Sequence, residues 1–144
     1  MSAGTSIDAS TAEWMRTLQE KSHSRCQICS KHLLTTYAFS AIPPVLALDF
    51  EGLETNISPV INVYDNCGRC SGHSFHLKGI IYYADGHYTS RTIYNQDQIW
   101  FHDGILTGQS MLYDGAITSS NDIQLSVCRG KKAIAAIYMK SNNA

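Results

Sequence analysis

Little of this sequence is charged, basic or continuously apolar, and each shortage removes a class of function. Charged residues are 16% of the chain and the formal net charge is −1. That leaves no basic footprint for a polyanion, so nucleic acid is not an expected partner. No apolar run approaches the about 18 residues of a membrane helix, so no membrane span is expected. Met1 to Ser10 is small and polar, without the basic and apolar regions of a secretory leader. The expected location is therefore cytoplasmic or nuclear. Prolines number only three, and two of them are adjacent at Pro43 and Pro44.

What is present suits one globular core. Hydrophobic residues are 44% of 144, enough for a single domain and far from a disordered composition. The five cysteines stand at 26, 29, 67, 70 and 128, and four of them form two Cys-x-x-Cys pairs. Without a leader, that spacing points to metal or redox chemistry rather than a disulfide framework.

Residues 1–24 read as a tail and one short helix. The helix is expected over Thr11 to Lys21; Thr11 is placed to cap it, and Trp14, Met15 and Leu18 form its apolar stripe. Ser22 to Lys31 is polar and reads as a turn around the first cysteine pair, and His32 to Phe39 reads as a strand. Pro43 and Pro44 set an extended entry to Val45–Leu48, a short apolar run expected as a central strand buried on both faces. Ile57 to Val63 is a strand that Pro59 assigns to an edge or a bulge.

Ser74 to Ala84 gives the clearest alternation. Phe75, Leu77, Gly79, Ile81 and Tyr83 fall on one face, and His76, Lys78, Ile80 and Tyr82 on the other. Asp85-Gly86 makes a turn, His87 to Tyr94 a second strand, Asn95 to Gln98 another turn, and Ile99 to Asp103 the return. Gly104 to Asn121 reads as surface with one short strand near Met111 to Tyr113. Lys132 to Met139 is an apolar closing strand, and 141–144 a tail. The expected fold class is α+β: a mostly antiparallel sheet with one short N-terminal helix.

The order of segments carries a resemblance. Cys26-Gln27-Ile28-Cys29 is followed by Ile42-Pro43-Pro44-Val45-Leu46-Ala47-Leu48 and then Phe75-His76-Leu77-Lys78-Gly79-Ile80-Ile81. Gly86-His87-Tyr88-Thr89-Ser90, Trp100-Phe101-His102-Asp103 and Ala133 to Tyr138 come next. In order and spacing, residues 25–140 resemble the C-terminal half of the catalytic domain of ubiquitin-specific proteases, whose palm belongs to a papain-like cysteine protease fold. The resemblance implies that His87 is the general base and Asp103 the residue that orients it. Gly86 and Tyr88, flanking the histidine, are the matching candidates for ligand binding. Cys26 and Cys29 match one cysteine pair of that family's zinc ribbon. Three features depart from the pattern. No Cys box or thumb helices precede these motifs. The strand that usually reads Leu-Lys-Arg-Phe is Leu48-Asp49-Phe50-Glu51. Asp85 stands where glycine is frequent.

Geometry decides whether His87 and Asp103 can meet. If Asn95 to Asp97 forms a three-residue loop, Tyr94 pairs with Gln98. Asp103 then lies opposite Thr89, on the side of His87, about 7–8 Å away on the diagonal. A two-residue loop at Gln96-Asp97 shifts the register by one and sends Asp103 to the other face. The competing readings are an idle turn-flanking histidine and an aspartate that serves only the turn before Gly104. Trp100 and Phe101 are read as core and His102 as structural.

Zinc is the one expected cofactor, in a structural role. Cys26, Cys29, Cys67 and Cys70 could supply four thiolates, with His32 and His73 as substitutes. Against this, 37 residues separate Cys29 from Cys67, more than the roughly 15–20 of compact zinc ribbons. Reduced, unligated cysteines are the other reading. Cys128 reads as buried packing.

Three functions follow. The first is a deubiquitinase-related domain, truncated or a pseudoenzyme, that lacks its nucleophile and is inactive alone, with ubiquitin or a ubiquitin-like protein as ligand. The second is a cysteine-type deubiquitinase completed by a missing or separate N-terminal segment. The third is a zinc-stabilised interaction module unrelated to ubiquitin. Half of a catalytic domain should also expose an apolar patch near Val45–Leu48, to be covered by a homo-oligomer or by the missing segment.

Overall fold

A computed structural model describes residues 10–17, 19–36, 39–50, 54–64, 72–118 and 123–142. Among the described residues, helix α1 (Thr11–Thr17) precedes ten strands. These are β1 (Gln19–Arg25), β2 (His32–Thr36), β3 (Val45–Asp49), β4 (Val60–Tyr64), β5 (Gly72–Ala84), β6 (His87–Tyr94), β7 (Gln98–His102), β8 (Leu112–Ala116), β9 (Val127–Cys128) and β10 (Lys131–Lys140). Strands β1 and β2 form a hairpin of their own. The remaining eight make one sheet in the order β3-β10-β5-β6-β7-β8, with β4 beside β5 and β9 beside β10. Every ladder is antiparallel. The molecule is therefore the mostly antiparallel α+β fold that the alternating patterns imply.

The helix expected over Thr11 to Lys21 stops at Thr17, and strand β1 occupies Gln19–Arg25, reaching into the stretch expected to be turn from Ser22. Three further local expectations are overturned. The first concerns the cap of α1, which is Ser10: its Oγ accepts from the Glu13 amide at 3.1 Å, and its carbonyl accepts from Trp14 N–H at 2.9 Å. Thr11 turns inward instead. The Ser58 amide donates to Thr11 Oγ1 at 2.9 Å. Thr11 Oγ1 lies 2.8 Å from the Tyr138 hydroxyl, which donates to the Ser58 carbonyl at 2.7 Å. This ring of two hydroxyls and the backbone of Ser58 fastens the helix to the sheet, and each buried hydroxyl in it is satisfied.

The second is Val45–Leu48, which is not a central strand. Among the described residues β3 pairs only with β10 and forms an edge of the sheet; Leu46 is buried while Val45 and Ala47 face out. A four-residue apolar run cannot by itself distinguish burial on two faces from burial on one. The central place belongs to β10, whose Ala136 and Tyr138 are fully buried and which pairs with β3, β5 and β9.

The third is the regular alternation of β5, which fails at a bulge. Leu77 lies opposite Tyr138 and Gly79 opposite Ile137, leaving Lys78 as an extra residue. The inward face consequently changes parity: Phe75 and Leu77 are buried before the bulge, Ile80 and Tyr82 after it. One inserted residue rephases every side chain beyond it. A compensating irregularity leaves Ile134 extra on β10, and its carbonyl accepts the Phe50 amide at 2.9 Å. The core on this face is closed by Met15 from α1, Phe50, Ile57 and Leu125.

Candidate active site

The site begins with a two-residue turn. Asp85 and Gly86 have φ of 51° and 76°, the left-handed pair that joins tightly twisted strands, where glycine carries no steric penalty. His87 is thereby the first residue of β6, paired with Ala84. At the far end, Asn95 and Gln96 also take positive φ, 48° and 70°, and Tyr94 pairs with Gln98. The loop is Asn95 to Asp97, three residues long. Ser90 opposite His102 is the last pair of the ladder, so Asp103 follows on the side of Thr89 and His87.

The two side chains meet. His87 Nε2 lies 3.0 Å from Asp103 Oδ1. The carboxylate is nearly sealed, at 5% exposure, while the imidazole is 29% exposed. The same Oδ1 accepts the amides of Ile105 at 2.9 Å and Leu106 at 3.3 Å. Thr107 closes the turn behind it: its Oγ1 accepts the Asp103 amide at 3.2 Å and donates to the Asp103 carbonyl at 2.9 Å. Asp103 thus serves the turn and the histidine at once, and the two readings of it are not alternatives. The bond from His87, then the two amides, hold its carboxyl below the usual aspartate range against the opposing effect of burial.

An ionised carboxylate only accepts, so His87 donates through Nε2, and Nδ1 keeps its lone pair. An imidazole held through one nitrogen leaves the other as the atom that can take up a proton. Thr89 lies beside the pair on β6. Its hydroxyl is buried without a hydrogen-bond partner. Tyr88 alternates to the opposite face, 61% exposed, and meets Tyr83 with ring centroids 4.6 Å apart and ring planes tilted by 43°. Gly86 contributes backbone conformation and no side chain.

Cys26 and Cys29 lie in the turn between β1 and β2. The Ser30 amide donates to the Cys26 carbonyl, and the Cys26 amide to Lys31 O. Both thiols are free. Donors aimed at its sulfur, the Cys29 amide foremost and then the Ile28 amide and the Cys29 thiol, push the Cys26 thiol down. Such a turn favours thiolate and fits one half of a tetrahedral zinc site. Cys67 and Cys70 lie outside the described residues. His32 opens β2 opposite Arg25; His73 is on β5 opposite Val63. Among the described residues, no group of three or more metal-binding side chains is gathered. Cys128 is buried at 2% exposure, and burial pushes its thiol up.

One cluster escaped the sequence reading. Arg91 Nε and Nη2 donate to Asp114 Oδ2 at 2.7 and 2.6 Å, and Nη1 donates to Gln124 O at 2.9 Å. Arg129 reaches Asp114 Oδ1 at 3.3 Å and lies 3.9 Å above the Phe101 ring. The signal was parity: Arg91 shares the inward register of His87, Thr89 and Ile93, so it had to be buried and paired. Among the described residues, no helix is long and apolar enough to cross a membrane.

In fold, this chain is similar to solved structures of a deubiquitinase module, which makes the fold deubiquitinase-related. The yeast SAGA DUBm structure has a TM-score of 0.56 at 14% identity, covering 92% of this chain and 33% of that one. The SAGA Ubp8/Sgf11/Sus1/Sgf73 DUB module bound to ubiquitin aldehyde gives 0.56 at 13%, covering 94% and 34%. A further structure of the same module gives 0.56 at 14%, covering 94% and 31%. The chain therefore spans about a third of the length of these neighbours, and at such identity the likeness is one of fold. No family model matches the chain, and no curated protein matches its sequence.

Proposed function

We propose that this chain carries the histidine–aspartate half of a cysteine-hydrolase site of the ubiquitin-specific protease type, matching the C-terminal half of that catalytic domain. His87 is the base and Asp103 its orienting acid. The thiol comes from a separate segment, so the chain alone is inactive, and ubiquitin or a ubiquitin-like protein is its ligand. The observation that carries this reading is the 3.0 Å bond from His87 Nε2 to Asp103 Oδ1, which leaves Nδ1 free to take a thiol proton. The described cysteines support it too, since Cys128 is buried and Cys26 and Cys29 belong to a hairpin turn.

Two measurements test this. Ubiquitin vinyl sulfone should leave the isolated chain unlabelled; covalent labelling would show a nucleophile within it. Calorimetric titration with ubiquitin should give weak binding that His87→Ala and Tyr88→Ala alter. No heat under any condition would remove ubiquitin as the ligand.

Zinc is proposed as a structural partner of Cys26 and Cys29, completed by Cys67 and Cys70. Metal analysis of the purified protein should give one zinc per chain, lost in Cys29→Ser and in Cys67→Ser. Retention in Cys67→Ser would restrict the site to the first hairpin and its histidines.

A further inference from the structure

Among the described residues, the eight-stranded sheet is packed on one side only. Inward side chains are sealed by α1, Phe50, Ile57 and Leu125, whereas none of the outward ones is buried. Val45 and Met139 are paired across β3 and β10 and are 45% and 46% exposed. Ile81 and Tyr83 continue the outward face on β5 beyond the bulge. Trp100 and Tyr113 complete it on β7 and β8, paired and edge to face at 5.4 Å. Charges on this face are sparse and of both signs: Asp49, Lys78 and Lys132, the last bound to Glu54 at 2.6 Å.

We propose that this outer face is the contact between two copies of this chain, packed sheet on sheet about a two-fold axis. Three features favour a second copy. The first is size. Six strands about 4.8 Å apart and about five residues of about 3.3 Å give a footprint of about 24 by 17 Å. With side-chain relief that offers roughly 700–800 Å² to a partner, near the about 800 Å² per partner of a stable interface. The second is the lack of a single-sign field, which lets like molecules meet. The third is polarity along the face. Its β3–β10 end is aliphatic and its β7–β8 end aromatic, so a two-fold axis near β5 lays Val45 and Met139 of one copy on Trp100 and Tyr113 of the other, twice.

The proposed contact does not involve the histidine–aspartate pair, because His87 and Asp103 point to the other side of the sheet. Of the residues named for that site, only Tyr88, beside Tyr83, lies on the same face as the contact, so Met139 and Tyr113, away from it, are the residues to vary. Sedimentation of the full chain over a concentration series tests it. The apparent mass should rise from 15.9 kDa to twice that. Met139→Lys and Tyr113→Lys, at opposite ends of the face, should each weaken association at least about tenfold by burying a charge in the contact. Ile105→Lys, an exposed apolar residue in the turn after Asp103, should leave association unchanged. Circular dichroism checks folding; if Met139→Lys unfolds, Tyr113→Lys decides alone. A wild-type chain that stays monomeric overturns the proposal. So does a dimer that the folded lysine variants retain, or one that Ile105→Lys dissolves as well.

Discussion

Tyr94 stands opposite Gln98, and that pairing sets the side of the sheet on which Asp103 emerges. The same register buries Ile99 and Phe101 at 0% and 1% exposure, so the site and the core are held by one constraint. Deleting Gln96 should not produce a clean slip, because a slip of one residue would expose both side chains and bury Trp100 in their place. The expected outcome is a loss of about 3–5 kcal/mol or more, the scale of emptying a buried aromatic position. Adding one glycine after Gln96 should be tolerated within the loop. Denaturant melts and cross-strand contacts between Tyr94 and Gln98 by NMR measure both.

Asp103 should show its role in acid. Its folded carboxyl is held below the unfolded value, first by His87 and then by the Ile105 and Leu106 amides. The stabilisation is complete above the unfolded value of about 4 and disappears as pH falls through the lower folded value. Asp103→Asn keeps an acceptor for the two amides and for His87 Nε2–H, so it should retain the turn and remove the acid dependence. Asp103→Ala should lose both, with Ile105 and Leu106 amides exchanging faster. Equal acid sensitivity in wild type and Asp103→Asn would place that dependence on another carboxylate.

Arg91 and Asp114 make a sharper stability prediction. Arg91 is 9% exposed and spends its donors on Asp114, Gln124 and the Tyr82 hydroxyl at 3.5 Å. Arg91→Met leaves Asp114 with only the longer contact to Arg129, and should cost about 3 kcal/mol, the scale of stranding one member of a buried pair. Arg91→Met with Asp114→Leu should recover much of that loss. A double-mutant cycle by chemical denaturation reads the coupling directly. Additive losses would mean that the pair does not act as a unit.

Much of this architecture was legible. Asp85-Gly86 named its turn by residue type, and the hairpin arithmetic from Tyr94 to Asp103 needed only loop length and strand period. What was not legible depends on neighbours distant in sequence. The bulge at Lys78 arises where β5 must match Tyr138 and Ile137 on β10; Gly79 beside it is the kind of residue that marks a bulge within a strand, but by itself it does not say which residue is extra. β3 is an edge because of what it pairs with, which a four-residue apolar run does not encode. Thr11 has the chemistry of a cap, yet Tyr138 and Ser58 draw its hydroxyl inward, and Ser10 caps instead. The second half of the cysteine set, at Cys67 and Cys70, lies outside the described residues.

Alkali should find the two deepest phenols. Burial pushes both Tyr82 and Tyr138 up to about 12, against about 10 in an unfolded chain. The folded state therefore holds these protons more tightly. The stability they contribute is complete below about pH 10 and is lost as pH rises through about 12. That gap between folded and unfolded values corresponds to about 2–3 kcal/mol for each group. Neither phenol can ionise quietly: Tyr82 donates to Leu125 O at 2.7 Å, and Tyr138 to Ser58 O at 2.7 Å. A phenolate at either place would face a carbonyl oxygen. Phenolate absorbance should therefore show two tyrosines appearing only together with the loss of strand signal in circular dichroism. Tyr138→Phe should cost about 1–3 kcal/mol at neutral pH, because the Thr11 hydroxyl and the Ser58 carbonyl lose a partner. It should also remove one of the two late phenolates. If both still titrate late in that variant, the assignment of the alkaline transition to Tyr138 is wrong, and the ring joining α1 to β10 does not carry it.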